Sequence, residues 1–204
     1  MTKLQEALFS RHDPKVLAAL RAATVGIAGA GGLGSNCAAV LARAGIGSLV
    51  IADFDTVSAD NLDRQFYFLD QVGRPKVEAL AENLRRIDGG VALEIHVLRL
   101  ESGSILRLFS GCDVIVEAFD SAEAKLMLIE TVLSRLPGKP LVSASGLAGF
   151  GRSGELRLRR SGCLWLIGDE ESAVGPDNPP MAPRVAIAAA MEANAVLEIL
   201  LSEP

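Results

Sequence analysis

Residues 24–34, TVGIAGAGGLG, followed at 49–53 by LVIAD, decide the fold. An apolar run breaks at Gly29 into a turn with G-x-G-x-x-G spacing (Gly29, Gly31, Gly34), after which the chain reads as a helix to about Ala44. Glycines so spaced let the backbone turn tightly and approach a phosphate, while the helix start offers unpaired N–H groups to the anion. Asp53 closes the second apolar run, where an acceptor for ribose hydroxyls belongs. This is the opening of a Rossmann-like, doubly wound α/β fold with a nucleotide at its first turn. The motif does not choose between a mononucleotide and a dinucleotide, so on this stretch alone a nicotinamide (NAD)-dependent oxidoreductase is the leading reading.

The same texture continues outward. Val114-Ile115-Val116 and Leu141-Val142 join the first two runs as nearly continuous apolar strands, predicted to lie inside a mostly parallel sheet covered on both faces. Residues 91–97 alternate instead and read as a strand nearer an edge. Val77, Leu80, Leu84 and Ile87 recur at helical spacing, as do Leu126, Ile129, Leu133 and Leu136. After Ser145, glycines punctuate short segments, residues 155–160 alternate charge with leucine, and residues 169–183 are polar and proline-broken. The expectation is one domain spanning 1–204: a nucleotide-binding core over 1–145, then an addition over 146–204 with a small antiparallel piece, an exposed mobile loop and a final helix.

Composition mainly excludes. In 204 residues, 50% are hydrophobic and 22% charged, enough for a buried core and too apolar for disorder. The formal net charge of −5 argues against nucleic acid as the main partner. The three cysteines, Cys37, Cys112 and Cys163, form no CxxC pair, which suits a reducing, cytoplasmic setting and excludes a four-cysteine zinc site. The N-terminus lacks the apolar core of a signal peptide. Residues 182–201 carry Arg184, Glu192, Asn194 and Glu198, so they read as a buried, alanine-rich helix rather than a membrane span.

Downstream of the turn come Asp53-Phe54-Asp55, then Asn61-Leu62-Asp63-Arg64-Gln65, then Gly73-Arg74-Pro75-Lys76. A redox dinucleotide has little use for cations beyond its pyrophosphate, whereas a triphosphate under attack needs positive charge around the reacting phosphorus. Lys76 opens a predicted helix, where the macrodipole disfavours a cation, so it invites a functional explanation. Asp120, just past the fourth strand, suits either a ligand site or the N-cap of the next helix.

GAGGLGS, LARAGIGSLVIADFD, NLDRQ and GRPKVEAL, in this order, resemble the adenylating domain shared by ThiF, MoeB and the ubiquitin-activating enzymes. With EAFDSAEAK, PLVSASG and MAPRVAIAAAMEAN, the chain is most similar to the short ThiF-like proteins of thiamine biosynthesis. The resemblance implies ATP and the C-terminal Gly-Gly carboxylate of a small ubiquitin-fold carrier, ThiS or a relative, as substrates. The products are then a carrier acyl-adenylate and pyrophosphate. It implies that Gly29, Gly31, Gly32, Leu33 and Gly34 cradle the nucleotide, with Asp53 on the ribose and Asp55 beside it. Asn61, Arg64, Gln65 and Lys76 contact the phosphates, and Asp120 holds Mg²⁺ on the triphosphate. Arg64, Lys76 and Asp120 are the catalytic set, and a homodimer is expected.

A C-terminal carboxylate, with a pKa of about 3.5, is already ionised at neutral pH, which accommodates a site without histidine. The sequence departs from the family in lacking zinc-binding CxxC pairs and in carrying Ser121 and Lys125 where relatives have asparagine and arginine. The family's trans-acting N-terminal arginine is represented by Arg11. Cys163 is the candidate for any covalent sulfur link, and residues 169–183 for closure over the carrier's tail. Two other readings stand beside adenylation: the oxidoreductase and a non-catalytic carrier-binding subunit.

Overall fold

In the computed structural model, residues 3–202 are described. Two short helices, α1 (Lys3–Leu8) and α2 (Pro14–Ala22), precede the sheet. The strands are β1 (Thr24–Ala28), β2 (Ser48–Asp53), β3 (Ala92–Val97), β4 (Val114–Glu117), β5 (Leu141–Ala144), β6 (Arg157–Ser161) and β7 (Leu164–Gly168). They form one sheet in the order β3-β2-β1-β4-β5-β7-β6, parallel except for β6. This is the doubly wound α/β arrangement, and the order reverses at β1, between β2 and β4. The four nearly continuous apolar runs are interior, and the alternating strand β3 is an edge, as its pattern predicts.

The addition after Ser145 differs in part from its reading. β6 and β7 do form an antiparallel pair, but β7 also pairs in parallel with β5 and so extends the main sheet. Consecutive segments joined by a tight turn at Gly162 read as a separate hairpin. The parallel partner, more than twenty residues back, leaves no local signal.

Alternation along the strands supplies two cores. Val25, Ile27, Leu49, Ile51, Val114, Val116 and Val142 face α3 (Gly32–Ala44), α4 (Lys76–Ile87) and α7 (Ala182–Leu201). Ala28, Val50, Ala52, Ile115 and Leu141 face α5 (Ser102–Phe109) and α6 (Ala122–Arg135). The alanine-rich face of α7 lies on this chain's own α3 and sheet, burying Ala188, Ala189, Ala193 and Ala195. In α6 the buried stripe is Leu128 and Val132 with Thr131, while Leu126 and Leu133 are exposed. That helix carries two overlapping apolar stripes, and packing on β4 and α5 selects the one the spacing did not favour. No helix among the described residues is long and apolar enough to cross a membrane.

Candidate nucleotide site

The carboxyl ends of β2, β1, β4 and β5 open onto a cleft of roughly 1010 Å³, at the upper end of the ~300–1,000 Å³ usual for ligand clefts. Its position at the point where strand order reverses is where open α/β sheets bind ligands.

Three glycines shape the turn for three reasons. Gly29 has φ +101°, and a Cβ there would meet the Ala118 carbonyl oxygen at 2.8 Å. A Cβ on Gly34 would lie 2.0 Å from the Gly29 carbonyl oxygen, so α3 packs onto its own turn only without a side chain. At Gly31 the nearest atom is Gln65 Nε2 at 3.9 Å, so its backbone is bare toward the cleft. Asp53 holds the turn from beside it, accepting from the Ala30 N–H at 2.6 Å and the Asp55 N–H at 2.8 Å. Tyr67 donates to the Ala30 carbonyl at 2.6 Å; burial first, then Asp53 and Asp55, push its hydroxyl pKa up, so it remains a donor.

Gly31, Gly32, Leu33, Asp53, Asp55, Arg64, Gln65, Lys76 and Asp120 all line the cleft. Lys76 is buried and its Nζ meets Asp55 Oδ2 at 2.9 Å, while its backbone N–H donates to the Asp55 carbonyl at 2.9 Å. Arg64 is braced by the Asp60 carbonyl at 2.9 Å and Asp63 at 2.6 Å. The Gln65 amide oxygen is buried without a partner among the described residues, a polar group left for a ligand. Asn61 is not brought to the cleft wall. Its side chain accepts from the Ser58 N–H, and its carbonyl accepts from the N–H groups of Arg64 and Gln65, so it supports the turn that presents them. Gly29 and Gly34 likewise sit behind the lining rather than in it.

Ser121, not Asp120, caps α6, accepting from the Ala124 N–H at 3.4 Å, which leaves the exposed Asp120 carboxylate facing the cleft. Among the described residues no group of three or more His, Cys, Asp or Glu gathers to hold a metal. A lone carboxylate fits Mg²⁺ that arrives on phosphate oxygens, since Mg²⁺ keeps one or two protein carboxylates and takes its other ligands from water and substrate.

Other candidates lie elsewhere. Cys163 precedes β7, at the end of the sheet opposite the cleft, and Cys37 and Cys112 are buried. Burial pushes the Cys112 thiol up to about 11 and the Cys37 thiol up as well. Iodoacetamide at pH 8 is therefore expected to label Cys163 in the folded protein, and the other two only after denaturation; mass mapping of the alkylated peptides checks this. Arg11 lies exposed between α1 and α2, where neighbouring Phe9 packs at Gly45, below the amino end of β2 and remote from this chain's cleft. Residues 169–183 are mostly exposed, as their composition suggests, but the segment is anchored at its start: the Asp169 side chain pairs with buried Arg184 at 2.7 Å, and Ser172 is buried beside them.

Two residues, one in the cleft wall and one beneath it, escaped the sequence reading. Arg99 stacks over the Phe54 ring at 3.8 Å in the cleft wall. Glu117, fully buried at the end of β4, gathers Ser143, Lys125 and the Phe119 N–H. A glutamate inside the run VIVEA was the available signal, because a carboxylate in an interior strand needs partners.

An adenylyltransferase and sulfurtransferase MOCS3 of Caenorhabditis briggsae is 37% identical over 129 residues, covering 63% of this chain and 32% of that protein. A SAMP-activating enzyme E1 of Haloferax volcanii is 34% identical over 141 residues, covering 66% of this chain and 52% of that one. The chain thus spans about a third to a half of the length of these curated relatives. The E. coli tRNA N6-threonylcarbamoyladenosine dehydratase TcdA, solved with ATP, has a TM-score of 0.87 at 21% identity, covering 98% of this chain and 96% of that one, and so shares the fold. The ThiF family pattern matches residues 4–204. The chain belongs to the ThiF family.

Proposed function

We propose that this chain is an ATP-dependent adenylyltransferase that activates the C-terminal glycine carboxylate of a small ubiquitin-fold carrier. The observation that carries the reading is one cleft that combines a bare glycine turn, a buried, unpartnered Gln65 amide oxygen and two cations, Arg64 and Lys76. The names of the curated relatives support it: adenylyltransferase in one, SAMP activation in the other. The hydride-transfer reading leaves Arg64, Lys76 and Asp120 without a task.

The triphosphate lies along the turn with its ribose toward Asp53 and its base toward Phe54, Leu98 and Leu100. The carrier carboxylate oxygen attacks the α-phosphorus, a new P–O bond forms, the bond to the bridging β-phosphate oxygen breaks, and pyrophosphate leaves. No proton has to be removed first. Arg64 and Lys76 neutralise charge on the equatorial and departing oxygens. Mg²⁺, held by Asp120 with the phosphates, supplies further charge neutralisation when bound.

Residues 146–204 face the carrier, whose tail enters between the 145–147 and 172–174 segments of the cleft wall. We assign a ThiS-like carrier of thiamine biosynthesis first, and a homodimer in which Arg11 serves the second copy's cleft. The test is carrier-dependent ATP–pyrophosphate exchange with ThiS-like, molybdopterin-type and SAMP-like carriers ending in Gly-Gly. Exchange with one of them is expected, and Arg64→Ala should lower it by roughly 10²-fold. NAD binding without exchange overturns adenylation in favour of the oxidoreductase; carrier binding without exchange overturns it in favour of a non-catalytic subunit.

A further inference from the structure

Beneath the cleft floor lies a charged group that the proposed chemistry does not use. Glu117, at the carboxyl end of β4, has no exposed side-chain surface, yet three donors converge on it. Its Oε1 accepts from the Phe119 N–H at 2.8 Å; its Oε2 accepts from Ser143 Oγ at 2.6 Å and from Lys125 Nζ. These donors come from the turn after β4, from the neighbouring strand β5 and from the first turns of α6. Lys125 is 22% exposed and itself lines the cleft.

We propose that Glu117 and Lys125 are a positioning pair for adenylation, fixing the turn that presents Asp120 and cancelling a buried negative charge beneath the polyphosphate. The Phe119 N–H bond pins the backbone one residue before Asp120. Lys125 closes the same turn from its far side, five residues after Asp120, so both ends of the 118–125 segment attach to one carboxylate. Glu192 on α7 is also fully buried and finds no partner among the described residues; burial, then the charge on Glu117, push its pKa well up, so it holds its proton. Lys125 is then the counter-ion of Glu117. Without it a buried carboxylate is left unpaired, the costly half of a broken ion pair.

This inference rests on the adenylation reading, and the experiment separates the two. Exchange kinetics on the full chain, with kcat and the KM for ATP resolved and thermal unfolding measured alongside, compare wild type with Lys125→Arg, Lys125→Met and the double variant Glu117→Gln/Lys125→Met. Lys125→Arg should stay within about threefold of wild type. Lys125→Met should lose roughly 30-fold or more in kcat with KM changed less than about threefold. The double variant, in which the neutral amide introduced at position 117 still accepts from Phe119 and can bond to Ser143, should recover at least about tenfold over Lys125→Met. A double variant no more active than Lys125→Met, or a Lys125→Met variant with wild-type kcat, overturns the pairing while leaving adenylation standing. A rise in KM without recovery makes Lys125 a direct phosphate contact and also overturns it. If Lys125→Met does not fold, the double variant must fold and retain activity within about tenfold of wild type, or the pairing is wrong. A wild-type chain that does not bind ATP overturns both readings.

Discussion

Replacing Lys76 by methionine is expected to lower carrier-dependent ATP–pyrophosphate exchange by roughly 10²- to 10³-fold while leaving the melting temperature nearly unchanged. Lys76 opens α4, where the helix dipole works against a cation, and its side chain is only 7% exposed. Both costs are offset by Asp55, which bonds the ammonium at 2.9 Å and also accepts the Lys76 backbone N–H. The result is a cation aimed into the cleft before substrate arrives, so little reorganisation is needed as charge builds on the departing pyrophosphate. Asp55 is 46% exposed, and once its partner is gone water solvates it, so little folding energy is lost. Exchange kinetics and a melting curve on the same preparation check both halves. Activity within a few-fold of wild type would remove Lys76 from the reaction; a collapse of the melting temperature would make it a structural lysine.

How much of this was legible follows from where each signal lies along the chain. The turn at Gly29–Gly34, Asp53 and the strand cores are local patterns, and the structure places the turn and Asp53 at the reversal point of the sheet. Lys76 was legible as an anomaly against the helix dipole. Asn61 was read as a phosphate contact because it travels with Arg64 and Gln65; its side-chain oxygen accepts from the Ser58 N–H and its carbonyl supports the turn that presents them, away from the cleft wall. The residues that brace the cleft were not legible, since their partners are remote: Glu117 reaches Ser143 across 26 positions, and Arg184 reaches Gly146 across 38. Likewise the phase of α6 depended on which of two apolar stripes the sheet accepts, a choice that periodicity alone does not make. Local pattern brought most of the cleft-lining candidates into view; tertiary contacts decide what holds them in place.

Asp169→Asn tests that support directly and is expected to destabilise the protein by about 3 kcal/mol at pH 7. Arg184, at the start of α7, is 1% exposed; it donates to Asp169 at 2.7 Å, to the Gly151 carbonyl at 3.0 Å and to the Gly146 carbonyl at 3.4 Å. It thereby ties α7 to the 146–151 and 169–172 segments beside the cleft. Asparagine keeps the shape of Asp169 but leaves the guanidinium buried without its counter-charge. The pH dependence identifies the cause. Burial alone would raise the Asp169 pKa, but hydrogen bonds from the Ser172 side chain and backbone, the Glu171 N–H and Arg184 outweigh it and hold the carboxyl well below the usual range. A depressed folded-state pKa gives stability that is fully present above the unfolded value of about 3.9 and is lost as pH falls through the folded one. The gap between wild type and Asp169→Asn, followed by urea unfolding, should therefore stay constant from about pH 8 to 5 and narrow below about pH 4. A gap that persists unchanged to about pH 2.5 would mean that the Asp169 charge is not what the variant loses. Because the Ser172 end of this segment lines the cleft, the variant should also loosen it. Protease cleavage within residues 169–183 should rise at a temperature where the rest of the chain remains folded, which separates local release from global unfolding.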